Sequence, residues 1–248
     1  MNIPALRKFY WKLEKLIVPE LRSSQNHYRD QLFSILPSGT FCWLDMGCGH
    51  QVFGDWMTAD QEQLVRRTRL AVGIDLDLPG LKAHTGLNAK IYGNLTQIPL
   101  KDQSFELITA NMVVEHLDQP EAVFLEVHRL LRPGGFFVFH TTNVQNPFLR
   151  FAAKVPQGLK NSVVYLLEHR KAEDVFPTRY LANRPEDIIA LAKITGFEVK
   201  TLELVSSSAL TQMLGPLVVC ELLFIRLLRH QRYQHLRTNL ICILQKPA

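Results

Sequence analysis

The run Phe41-Cys42-Trp43-Leu44-Asp45-Met46-Gly47-Cys48-Gly49-His50 takes the chain from a short apolar strand straight into a glycine turn, and it constrains the fold more than any other stretch. In an open α/β sheet, ligands sit beyond the carboxyl ends of the strands, where glycines let the backbone turn sharply and approach closely. Asp45, at the strand's end, can face the same crevice. A dinucleotide-type turn needs a third glycine three positions after Gly49; Val52 stands there, and Gly54 is out of register. Pyrophosphate binding is therefore disfavoured.

The chain then alternates between strand and helix patterns. Asp55 to Arg67 reads as a crossover helix with Trp56, Met57, Leu64 and Val65 on its buried side. Leu70-Ala71-Val72-Gly73-Ile74-Asp75 is a continuous apolar run ending in an acid, as a parallel strand buried on both faces should be. Ala89 to Asn94 is a short third strand, and Ser104-Phe105-Glu106-Leu107-Ile108 opens a fourth that ends at Thr109-Ala110-Asn111. Asp118 to Leu131 follows as a helix with Pro120 in its first turn and Val123, Phe124, Val127 and Leu130-Leu131 on one face. Arg132-Pro133-Gly134-Gly135 should stop it, with Phe136 to His140 as the fifth strand.

These motifs, in this order from about Phe41 to Asn143, resemble the class I S-adenosylmethionine-dependent methyltransferases, in particular the branch acting on small molecules, quinones, sugars and lipids. The resemblance implies a Rossmann-like, doubly wound, seven-stranded and mostly parallel α/β sheet with an antiparallel last strand and helices on both faces. It implies S-adenosyl-L-methionine as cofactor, held by Asp45, Gly47, Cys48 and Gly49 at the first turn. Asp75, followed by Leu76, takes the place of the acid that receives both ribose hydroxyls. Asn94, followed by Leu95, stands where the family has an aspartate against the adenine amino group; an amide oxygen can still accept there. Asn111, at the end of the fourth strand, completes the cofactor set.

A hydroxyl acceptor would benefit from a general base, worth about 10²–10⁴-fold. His116, in the loop after the fourth strand, is the first candidate, with His140 at the end of the fifth strand and His169 further on as alternatives; each has a purely structural reading beside the catalytic one. Cys48 reads as a small side chain that fits a tight loop. No histidine–carboxylate cluster has the spacing of a metal site. The reaction expected is O-methylation of a small amphipathic, lipid or lipid-linked acceptor. The alternative is a non-catalytic methyltransferase-like binding or membrane-scaffolding protein.

Downstream, Asn183 with Glu186 three residues later reads as a capped helix start, Ile188 to Ile194 as its buried side, and Phe197 to Val205 and Thr238 to Leu244 as strands six and seven. Residues 1–37 read as a basic amphipathic helical segment and 38–248 as the methyltransferase domain, with insertions at about 143–184 and 206–237 that should confer substrate choice. The N-terminal helix either lies in a bilayer interface or packs on the main domain. The apolar stretch from Ala209 to Leu228 is a lid, a lipid-contacting helix or a dimer interface, and its polar interruptions exclude a membrane span.

Net charge is +5, and no acid follows Glu221 while Arg226, Arg229, Arg232, Arg237 and Lys246 do. The basic end reads either as a solvated face without a partner or as a face for an anionic one, and in the second case an acidic membrane surface is favoured over nucleic acid, because no aromatic residues interleave the cations. The four cysteines lack metal or redox spacing and, with no signal peptide read at the N-terminus, suggest a cytoplasmic protein, free or peripheral at the inner face of a membrane.

Overall fold

The computed structural model describes residues 3–154, 176–209 and 217–248. His169 lies outside the described residues. The chain divides into two compact units. The larger, Gln25–Thr142, Thr178–Glu203 and Leu240–Ala248, carries the sheet except for the ends of its last two strands. The smaller comprises Met1–Ser24, Asn143–Pro177 and Leu204–Asn239.

Seven strands form one sheet: β1 (Phe41–Met46), β2 (Thr68–Asp75), β3 (Ala89–Tyr92), β4 (Phe105–Asn111), β5 (Leu131–Thr142), β6 (Glu198–Val205) and β7 (Asn239–Gln245), in the order β3-β2-β1-β4-β5-β7-β6. The pairs β1–β2, β1–β4, β2–β3 and β4–β5 are parallel. β7 runs antiparallel to β5: at one end the Gly134 N–H donates to the Lys246 carbonyl and the Lys246 N–H to the Gly135 carbonyl, and at the other the Asn143 N–H donates to the Thr238 carbonyl. This is the Rossmann-like sheet with helices on both faces that the motifs imply.

The helices of the larger unit are α2 (Ser24–Ser34), α3 (Thr58–Arg66), α4 (Leu78–Ala83), α5 (Pro120–Leu130) and α7 (Pro185–Ile194); α1 (Ile3–Ile17), α6 (Pro147–Lys154) and α8 (Leu217–Leu227) belong to the smaller. α5 buries Val123, Phe124, Val127 and Leu130. The Phe124 ring meets Phe137 edge-on at 5.5 Å and Phe139 at 5.7 Å, so this one side chain seals helix to strand.

Three local expectations are corrected. Trp56 is not on the buried side of a helix; it sits in a 3-10 turn (Asp55–Met57) before α3 and is 70% exposed, while Met57 and Leu64 go inside. Arg132-Pro133-Gly134-Gly135 does not end one element ahead of the next, since β5 begins at Leu131. Lys246 accounts for this: its backbone pairs with Gly134 and Gly135, and its ammonium donates to the carbonyls of His128 and Leu131. Asn183 does not cap α7. Arg184 is the N-cap residue, without a side-chain hydrogen bond, and the Asn183 amide turns away to Thr141 Oγ1 at 2.7 Å and the Thr142 carbonyl at 2.9 Å.

Truncating Phe124 to alanine should cost about 3–5 kcal/mol, the usual loss for a fully buried aromatic ring. A denaturant midpoint within error of the parent's would contradict this packing account.

Candidate functional site

Strand order reverses between β1 and β4, since β1 leads on to β2 and β3 on one side and β4 to β5 on the other. A crevice at such a switch point is where α/β sheets bind ligands. The turn after β1 is tight for a definable reason. Gly47 has φ +63°, and a Cβ there would lie 2.4 Å from Val113 Cγ2. Gly49 has φ +48°, but a Cβ there would meet nothing within 4 Å. One glycine is therefore demanded by packing and backbone alike, whereas the other leaves open space above the turn.

Asp75, at the end of β2, binds that turn from the side. Its Oδ2 accepts from the Gly49 N–H at 2.7 Å and its Oδ1 from the Asp77 N–H at 2.7 Å. A carboxylate offers about four acceptor positions, so capacity remains for a pair of hydroxyls. Leu76 beside it is 49% exposed. Asn94 is exposed, and its side-chain oxygen accepts from the Thr96 N–H; Leu95 is half-buried.

Asp45 is buried, and its hydrogen bonding is neutral. Thr109, its register partner on β4, donates to Asp45 Oδ1 at 2.6 Å and accepts from the indole Nε1 of Trp43 at 2.7 Å. Burial pushes the Asp45 carboxyl up to about 7; the Thr109 hydrogen bond opposes the shift and the Asp75 charge adds to it. Cys48 is buried, with its thiol pushed up first by desolvation and then by Asp45 and Asp75. Gly73 makes its room: a Cβ at Gly73 would stand 2.6 Å from Cys48 Sγ. The geometry is that of a packed side chain.

Asn111 is more fully engaged than its position suggested. Its amide nitrogen donates to Gln25 Oε1 and to the Val52 carbonyl, each at 2.9 Å, while its oxygen takes Gln25 Nε2 at 3.2 Å and lies 2.9 Å from His140 Nδ1. It is a hub between α2, the glycine turn and β5. His140 beneath it is 1% exposed and stacks on Tyr28 with ring centroids 5.7 Å apart. Burial alone lowers its pKa to about 3, which keeps the ring neutral.

His116 is half-buried in the 3-10 turn Val114–His116. Its neighbour Glu115 is 3% exposed and accepts from Thr141 Oγ1 at 2.7 Å, and burial raises its pKa against that hydrogen bond. The Glu115 carbonyl takes the N–H groups of Arg179 and Tyr180 at 2.7 and 3.1 Å. Tyr28, Gln25, Thr109 and Glu115 are thus site residues that the motifs did not reveal. Thr109 could have been found from strand register, and Glu115 as an acid within the otherwise largely apolar run from Met112 to Leu117. Among the described residues, no group of three or more His, Cys, Asp or Glu is placed to hold a metal ion.

Residues 44–139 match the family model described as a methyltransferase domain. An uncharacterized methyltransferase of Mycobacterium tuberculosis is 28% identical over 151 residues, 58% of this chain and 73% of that protein. The malonyl-[acyl-carrier protein] O-methyltransferase of Hahella chejuensis is 32% identical over 111 residues, 42% of this chain and 38% of that protein. In structure, the chain is similar to an S-adenosylmethionine-dependent methyltransferase from Mesorhizobium loti, with a TM-score of 0.55 at 18% identity over 88% of this chain and 96% of that one. At that identity the structural likeness speaks for the fold. Motifs, sheet order and family match converge on one conclusion: residues 44–139 carry a methyltransferase domain, built on the Rossmann-like sheet of the class I S-adenosylmethionine-dependent type.

Proposed function

We propose that this enzyme O-methylates a small amphipathic, lipid or lipid-linked acceptor, met at a membrane surface. The observation that carries the site reading is the pair of acids at the ends of adjacent strands, Asp45 and Asp75, with the open space above Gly49 between them. Asp75 would receive the ribose hydroxyls and Asn94 the adenine amino group, while Gly47, Cys48, Gly49, Leu76, Leu95 and Asn111 shape the rest of the cofactor site. The cofactor supplies an electrophilic methyl group on a sulfonium. Holding the reactants in line can lower the barrier by roughly 7–11 kcal/mol, so the protein's task is chiefly positioning.

His116 takes the general-base role in this reading, because its loop stands at the carboxyl edge of β4 and is half-buried rather than sealed. His140 serves structure, being neutral and enclosed. The acceptor class draws support from the name of the Hahella relative, a malonyl-[acyl-carrier protein] O-methyltransferase. Residues 1–37 and the insertions at 143–184 and 206–237 form the acceptor-selecting part, and 38–248 the domain that bears them.

Asp75→Ala should weaken S-adenosylmethionine binding by at least about tenfold, since each lost charge-assisted hydrogen bond is worth about 1.5–3 kcal/mol. His116→Ala should leave binding unchanged and slow transfer to a hydroxyl acceptor by about 10²–10⁴-fold. Equal losses in calorimetry and in a labelled-methyl assay with both variants would reject these assignments. Asp45 adds a pH test. Below about 7 its carboxyl is largely protonated in the free protein, and a bound cation favours the ionised form. Binding at about pH 6 should therefore release a proton, seen as a calorimetric heat that differs between buffers of different ionisation enthalpy, and Asp45→Asn should abolish the difference. Identical heats for the parent in both buffers would overturn the role of Asp45.

A further inference from the structure

The smaller unit holds 14 Lys and Arg against 6 Asp and Glu, a net +8, whereas the whole chain is only +5. Its described acids do not relieve this at the surface. Glu14 takes the Tyr10 hydroxyl, Glu20 pairs with Arg229, and Glu221 is buried. Lys8, Lys12, Lys15, Arg226 and Arg232 remain exposed.

The same unit is apolar outside as well as inside. α1 and α8 pack through Tyr10, Leu13 and Ile17 on one helix and Val218, Leu222 and Ile225 on the other, and the Tyr10 hydroxyl accepts from the Ala209 N–H at 3.0 Å. Those contacts use up one face of each helix. Away from it, Phe9 and Leu16, two turns apart, are 58% and 77% exposed with Lys12 between them; Trp11, 56% exposed, stands between Lys8 and Lys15 at helical spacing. On α8 the outward positions are Cys220, Leu223 and Leu227, the leucines 52% and 47% exposed. A helix that buries one apolar stripe and shows another among cations is built for two partners.

We propose that this unit docks on an anionic phospholipid surface through the outward faces of α1 and α8. Phe9, Trp11, Leu16, Leu223 and Leu227 enter the interface, and the lysines and arginines lie at the level of the phosphates. Charge decides the occupant: a second copy of the chain would bring another +8 against the first, whereas a bilayer rich in acidic headgroups supplies the opposite sign. The proposal deepens the amphipathic-acceptor reading and rests on it only for the purpose of docking, so it is tested without methyl transfer.

The full chain is to be sedimented, with no methyl donor present, with vesicles of phosphatidylglycerol and phosphatidylcholine or of phosphatidylcholine alone. Binding to the acidic vesicles should be at least about tenfold stronger and should fall at high salt, as screening requires. Phe9→Ser with Leu16→Ser should weaken it by a similar factor without shifting the thermal midpoint, since both side chains are exposed; Lys12→Glu with Lys15→Glu should do the same. Equal sedimentation with neutral vesicles, or none with either, overturns the proposal. So does a concentration-dependent dimer that the Phe9 and Leu16 changes dissolve, which would assign the face to a second copy. Vesicle binding by a chain that, in a separate assay with labelled S-adenosylmethionine and a lipid extract, labels no lipid would sink the acceptor reading and leave the surface standing.

Discussion

The Thr109 hydroxyl, donating to Asp45 and accepting from the Trp43 indole, is the interaction on which the crevice depends. Trp43 and Asp45 are two apart on β1 and so share a face, and the register sets Thr109 opposite Asp45 on β4. A buried carboxylate is ordinarily stabilised by a cation. Here a neutral hydroxyl holds it in place without cancelling its charge, so the carboxyl stays near the balance between its two protonation states. The same contact ties β1 to β4 at the switch point, where the glycine turn must be fixed in order to bind anything. Position and charge readiness thus come from one hydrogen bond.

Glu115 repeats the arrangement one loop later. It too is buried, meets a threonine hydroxyl from the adjoining strand, and has its pKa raised by desolvation. Thr141 is held in turn by Asn183, so the loop bearing His116 is braced against the segment that leads into α7. The backbone bonds from Arg179 and Tyr180 add a second brace. By contrast, Arg132 with Glu106, Arg129 with Asp102 and Lys200 with Glu198 are surface pairs, each worth about 0–1 kcal/mol. The ordering that matters at the carboxyl edge comes from buried neutral hydrogen bonds.

This explains which parts of the molecule could be read in advance. Strand ends, the glycine turn and Asp75 were legible because each depends on neighbours within a few residues. What decides His140 is not local: Tyr28 arrives from α2 to cover the ring, and Asn111 from β4 to orient it. The sequence around His140 contains neither. Asn183 was misread for a related reason, since a capping pattern is a local option and two threonines of β5 offered its amide better partners. Lys246 draws Arg132 to Gly135 into strand β5 from over a hundred residues away. Trp56 was assigned inward from helical spacing, and the 3-10 turn that holds it breaks that spacing.

The distribution of charge follows the same division of tasks. With 14 of the 28 Lys and Arg but only 6 of the 23 Asp and Glu in the smaller unit, the larger one is left with 17 acids against 14 bases. A weakly acidic unit whose crevice holds two carboxyls that form no ion pair among the described residues favours a cationic ligand, and its field draws one in. The basic unit could not serve that end, because a cluster of lysines beside Asp45 would pair the carboxyl and remove its preference for a cation. Separating the two signs lets the chain carry a net positive charge while keeping the crevice at Asp45 and Asp75 acidic.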